Sequence, residues 1–318
     1  MAINLEKVPR EKQTYAMCLA SVKADGSQLK FVDPALQTEE LCQEAIRENA
    51  SAIQYAVYQT PELCLEAIKK DARLLRFVKE QTPELCLAAI EQKAEMIWLV
   101  KNQTPELCLA AIERDAKVVR YIREQTPELC LTAVRRDGRA LEFVRDQTPE
   151  ICLAAVKQWG FALQYVNDQT SEICLEAVRQ NSNAIQYVHT KTREICLEAV
   201  RRNGFLLKYI NTATPEIFLE AVRQEGMALA YVSKQNQTPE LCLEAVKRCG
   251  NALQHIPKSK QTLSIAIAAL KQDPDSRRYL ADRFRTPKVY KAAGYEYKPE
   301  DLSHAHRKSV RERTEYVH

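Results

Sequence analysis

The chain has 318 residues, 46% hydrophobic and 28% charged, with a net charge of +4. A field that weak does not by itself argue for nucleic acid. No stretch approaches the ~20 apolar residues that span a bilayer, and the opening MAINLEKVPREKQTY has no apolar signal core. The reading is a cytoplasmic protein in a reducing compartment. A protein delivered into another cell by a non-classical secretion signal would share these features.

Residues 1–12 form an N-terminal extension. From residue 13 to 258 the chain is internally repetitive. QTPELCLEAIKKDARLLRFVKE (59–80) is followed at once by QTPELCLAAIEQKAEMIWLVKN (81–102). Eleven units tile this span, nine of 22 residues and two of 24. With the Thr of each unit as position 1, the preceding Gln is position 0. Such a repeat predicts an array in which each unit buries its apolar face only against its neighbours.

Position 1 is Thr in all eleven units, position 2 is Pro in seven and position 3 is Glu in ten. That is a helix start. Thr caps free amides, Pro suits the first turn, and Glu faces the positive end of the helix dipole. Gly or a small residue at position 13 predicts a left-handed stop after about twelve residues. Positions 15–20 predict a second, shorter helical piece, 3₁₀ in part. Positions 4, 5, 6, 8, 9 and 12 form a broad apolar arc, and positions 3, 7, 10 and 11 a narrow solvent face.

Ten of the eleven Cys fall at position 5, from Cys18 to Cys242. Their recurrence at one helical position, without Cys-x-x-Cys pairs, predicts a buried packing ladder and not a metal or disulfide set. Gln at position 0 recurs in nine units and predicts a side chain that satisfies backbone groups between repeats. Residues 259–294 are degenerate capping repeats. Residues 295–318 form a polar tail, helical or disordered. His304 and His306 stand on it, and two spaced histidines do not make a metal site.

The core TPELCLEAVKxNGxALxYV resembles a family of bacterial repeat domains of unknown function over nearly the whole chain, 13–258. The worn unit AALKQDPDSRRYL (268–280) is similar to the leucine-rich repeat variant, whose units alternate an α-helix with a 3₁₀-helix. That resemblance implies a solenoid. The variant's founding member carries an iron–sulfur cluster in a separate N-terminal module. Residues 1–36 here supply no such cysteine cluster, and the feature is not carried over. Neither resemblance implies a catalytic residue, substrate or cofactor.

No phosphate-cradling Gly loop, H-E-x-x-H or G-x-S-x-G occurs. The expectation is a non-catalytic, all-α solenoid of about twelve repeats that binds a protein partner, with its oligomeric state left open. Departures from the repeat point to the binding surface. Position 14, usually polar, becomes Phe161, Phe205 and Met227, and Trp159 replaces Asn or Asp at position 12. These side chains form either an apolar patch or fillers of gaps beside Gly160, Gly204 and Gly226. Trp98 takes position 17, near a face smoothed by Ala88, Ala110 and Ala154 at position 7. The alternative is a nucleic-acid surface on a basic row at positions 10 and 11: Lys69, Arg135, Arg136, Lys157, Arg179, Arg201, Arg202, Arg223 and Lys247. Against it stands a simpler reading, cations at helix ends paired with position-7 Glu.

Overall fold

The computed structural model describes residues 4–298. The tail from 299, with His304 and His306, lies outside the described residues. The chain divides into two compact units, one ending at Gln158 and the other beginning at Trp159. Among the described residues there is no strand, and the architecture is an all-α solenoid. No helix among the described residues is long and apolar enough to cross a membrane.

One repeat shows how the sequence makes the fold. The Thr104 hydroxyl accepts a 3.4 Å hydrogen bond from the Leu107 amide, and Pro105 opens the α-helix Pro105–Arg114. Helix-end amides and the Thr hydroxyl hold the Glu106 carboxyl below its ordinary range. Asp115 ends the helix in an extended conformation (φ −147°, ψ 112°). Its Oδ1 accepts from the Lys117 amide at 2.9 Å and thereby starts the 3₁₀-helix Ala116–Tyr121. One short polar side chain at position 12 thus closes one helix and opens the next.

This geometry corrects four expectations. The α-helix has ten residues, at positions 2–11, because position 12 leaves helical dihedrals to act as the junction. Position 12 is therefore a cap and not part of the apolar arc. The 3₁₀-helix spans positions 13–18, not 15–20. The position-13 glycines are not left-handed either; among the described residues only Gly294 has positive φ. Glycine serves close approach instead. A Cβ on Gly226 would stand 2.5 Å from the Ala245 carbonyl oxygen of the next α-helix.

Within each unit the α-helices pack side by side in one layer and the 3₁₀-helices in another. The core lies between them. In this repeat Leu107, Cys108, Ala111 and Ile112 meet Val118, Val119 and Ile122, all buried. Each fully buried Ile or Leu contributes roughly 1.5–3 kcal/mol of apolar transfer. The position-6 leucines, placed on the apolar arc by the helical wheel, are mostly half-exposed, and Leu87 is 38% exposed.

Polar ladders tie the layers. Gln59 Nε2 donates to the Ile53 and Phe77 carbonyls, and its Oε1 accepts from the Lys79 amide at 2.9 Å. Gln81, Gln103 and Gln125 repeat the pattern. At position 20 the Lys101 ammonium donates to the Val78 and Lys79 carbonyls, which close the preceding 3₁₀-helix. Arg123 does the same to Val100 and Lys101. The ten position-5 cysteines are free and buried, and the Cys174 thiol lies 3.5 Å from Gln169 Oε1.

Candidate interaction surfaces

Each repeat leaves two faces to solvent: positions 3, 6, 7, 10 and 11 on the α layer, and 14, 17 and 18 on the 3₁₀ layer. The two sequence-predicted surfaces therefore belong to different layers. The basic row lies on the α-helices, whereas the aromatic departures lie on the 3₁₀-helices.

The second unit gathers four of the five apolar departures on its 3₁₀ layer. Trp159 packs edge-on against Phe161 (ring centroids 5.8 Å apart) and tilted against Tyr165 (6.4 Å). Phe161 meets Tyr187 of the next repeat in a T-shaped pair at 5.8 Å. Phe205 meets Tyr231 in the same way at 6.5 Å. Met227 Sδ lies 3.9 Å from the Gln254 amide. Phe205 and Tyr231 stay 38% and 46% exposed. Such pairs contribute about 0.5–1.5 kcal/mol beyond burial.

The glycines beside these rings leave no hole. A Cβ on Gly160 would stand 2.6 Å from the Ala177 carbonyl, so backbone already occupies that space. Trp159 also lacks the capping hydrogen bond that Asn181 and Asn203 give the amides of Asn183 and Phe205. A cap typically contributes about 1 kcal/mol. The sequence forgoes that stabilisation at Trp159, as at Lys93, Glu225 and Cys249, and places a half-buried ring there.

The sequence reading missed the position-18 tyrosines. Tyr165, Tyr187 and Tyr209 are half-buried, and with Tyr231 they place one ring in every repeat of this face. Their regular recurrence read as scaffold, although an aromatic every 22 residues was visible. His255 continues the row, and burial holds its imidazole below the ordinary range.

Charge separates the 3₁₀ face of the four repeats from Asp71 to Phe143 from that of the five repeats from Trp159 to His255. From Trp159 to His255, positions 12, 14, 17 and 18 hold twenty side chains, of which only Lys208 and Glu225 are charged. Lys208 lies over its neighbour Tyr209 at 4.8 Å. From Asp71 to Phe143 the same positions hold sixteen side chains, eleven of them charged. Trp98 stands in that first unit, 51% exposed, between Arg76 and Arg120 in the position-17 row. The structure does not bring it to the smoothed face, because Ala88, Ala110 and Ala154 lie on the α layer.

The basic row is largely paired. Arg201 reaches Glu220 and Arg223 reaches Glu244, at 3.4 and 3.8 Å on the following repeat. Arg135 approaches Glu150, Arg179 approaches Glu176, and Arg202 bonds Glu198 at 2.8 Å. Lys70 caps carbonyls of the preceding α-helix. Lys69, Arg136, Lys157 and Lys247 are exposed. Such surface pairs contribute only about 0–1 kcal/mol each, but they neutralise a stripe that would otherwise be cationic. Among the described residues no three His, Cys, Asp or Glu come together as a metal-ligand set.

No curated protein matches the chain. A family model described as a domain of unknown function, DUF4116, matches residues 126–170, 148–193, 170–213, 192–237 and 238–285. The first four matches overlap in steps of one repeat, the fifth follows directly at 238, and together they cover half of the chain. The chain belongs to the DUF4116 family of repeat domains.

Proposed function

We propose that this chain is a non-catalytic scaffold that binds a protein partner through the 3₁₀ face of its second unit. The observation that carries this reading is the paired aromatic surface from Trp159 to Tyr231, almost free of charge. Interface cores are depleted of charge and enriched in aromatics and Met, and their strongest contacts centre on Trp, Tyr and Arg. The polar groups that recur in every repeat serve caps and ladders, which supports a scaffold over an enzyme. Alternation of ten-residue α-helices with six-residue 3₁₀-helices supports the architectural likeness to the leucine-rich repeat variant. Ten buried free thiols support a reducing, cytoplasmic setting.

Nucleic-acid binding through the basic row is the lesser reading, because Glu side chains already occupy much of that row. Salt separates the two. Immobilised full-length protein should retain its bound proteins from about 50 to 500 mM salt. Charge reversal at Lys157, Arg179 and Arg201 should change that retention little. Co-purifying RNA or DNA that is stripped by salt and abolished by the charge reversal would move the function to the α layer, since phosphate binding falls steeply with salt.

A further inference from the structure

We infer that the 3₁₀ face of the second unit receives an uncharged, proline-rich segment in the polyproline II conformation, one turn of the ligand per repeat. This rests on reading that face as protein-binding. The first support is charge. Two charged side chains in twenty suit a ligand that needs no ionic partner. The second is period. Polyproline II repeats every three residues at 3.1 Å each, about 9.3 Å per turn. Neighbouring helices pack roughly 8–10 Å apart, so a polyproline turn and a repeat advance nearly together. The third is chemistry. Tyr165, Tyr187, Tyr209 and Tyr231 offer a ring in each repeat, and aromatic-lined surfaces are the general receptors of proline rings. Polyproline II leaves its carbonyls unpaired, and proline brings no N–H. The receptor must therefore donate. Tyrosine hydroxyls and asparagine amides such as Asn183 can do so. The face is also held in place. Gln164 Nε2 donates to the Phe161 carbonyl at 3.1 Å, and the T-shaped pairs link position 14 of one repeat to position 18 of the next. A preformed ligand on a preformed surface loses little conformational freedom.

The test uses the full chain with Trp98→Phe, which leaves Trp159 as the reporting indole. Titrating a decaproline peptide should change the tryptophan emission saturably, with a Kd nearly constant between about 50 and 500 mM salt. Phe205→Asn should weaken binding at least tenfold; Asn occupies that position natively at Asn183 and Asn251, so folding is preserved and is checked by thermal melting. Lys117→Glu, in the first unit, should leave binding unchanged. Equal binding of a Gly-Ser decamer, or no binding of decaproline, overturns the inference. So does preferential, Phe205-dependent binding of oligouridine or cellohexaose. If decaproline fails while Phe161→Asn/Phe205→Asn still releases the proteins retained on the full chain, the protein-binding reading stands and the polyproline ligand alone falls.

Discussion

Replacing Gln103 by Ala is expected to destabilise the first unit by about 1–3 kcal/mol, as read by thermal or urea melting. The side chain looks peripheral, yet it bonds three backbone groups. Its Nε2 donates to the Ile97 carbonyl at 2.9 Å and the Tyr121 carbonyl at 3.1 Å, and its Oε1 accepts from the Arg123 amide at 2.9 Å. The Tyr121 carbonyl and the Arg123 amide lie past the last turn of their 3₁₀-helix, whereas the Ile97 carbonyl also accepts from the Val100 amide at 3.2 Å. A fully buried backbone group left unmade costs about 1–3 kcal/mol; here the Tyr121 bond is part-buried, the Arg123 bond is exposed and Ile97 keeps its Val100 partner, so the loss stays far below three such penalties. The chain carries its own control. At Gln237 the position-20 residue is Pro257, which has no N–H, and Gln237 Oε1 is without a partner. Gln237→Ala should therefore cost less than Gln103→Ala. A loss below about 1 kcal/mol at Gln103 would show that the ladder does not hold the 3₁₀ layer together.

The second large effect is alkaline. Burial raises the thiols of Cys18, Cys42, Cys64, Cys86, Cys108, Cys130, Cys174 and Cys196 above their ordinary value of 9.0, and pushes Cys242 up to about 11. Below pH 9 both folded and unfolded chains keep these protons, so the thiols cost nothing. Above it the unfolded chain ionises first, and stability falls as pH rises toward the folded values. Cys242 alone should lose about 2 kcal/mol over that range, and the whole ladder loses together. Under reducing conditions the melting temperature should fall steeply between pH 9 and 11. A variant with Ala at Cys64, Cys86, Cys108 and Cys130 starts from a lower stability but should fall less steeply. Equal slopes would assign the alkaline limb to the lysines and tyrosines instead. At neutral pH the same burial should make the native thiols slow toward a thiol reagent.

The helix starts, the period and the cysteine ladder were legible because each arises within one repeat: Thr, Pro and Glu act on the helix that they open. What was misread depends on the neighbouring repeat. Gly226 suggests a left-handed stop until the Ala245 carbonyl is seen against it. Leu87 sits on the apolar side of a helical wheel, yet the neighbouring helices leave it part-exposed. Arg201 and Arg223 read as a cationic stripe in sequence, but their partners Glu220 and Glu244 come from the next helix. The departures Phe161 and Phe205 were legible because they break the repeat. Their partners Tyr187 and Tyr231 were not, because they obey it.

The central claim is that Phe161 and Phe205 serve a partner and not the fold, and the paired variant Phe161→Asn/Phe205→Asn tests it most directly. Loss of the T-shaped pairs is opposed by restored polarity at two partly exposed positions, and surface substitutions usually change stability by only about ±0.5 kcal/mol. The predicted result is a melting temperature within a few degrees of the parent, with affinity for the retained protein partner lower by about 2 kcal/mol or more, roughly thirtyfold. A large drop in melting temperature with affinity intact would contradict the account and make these rings part of the core.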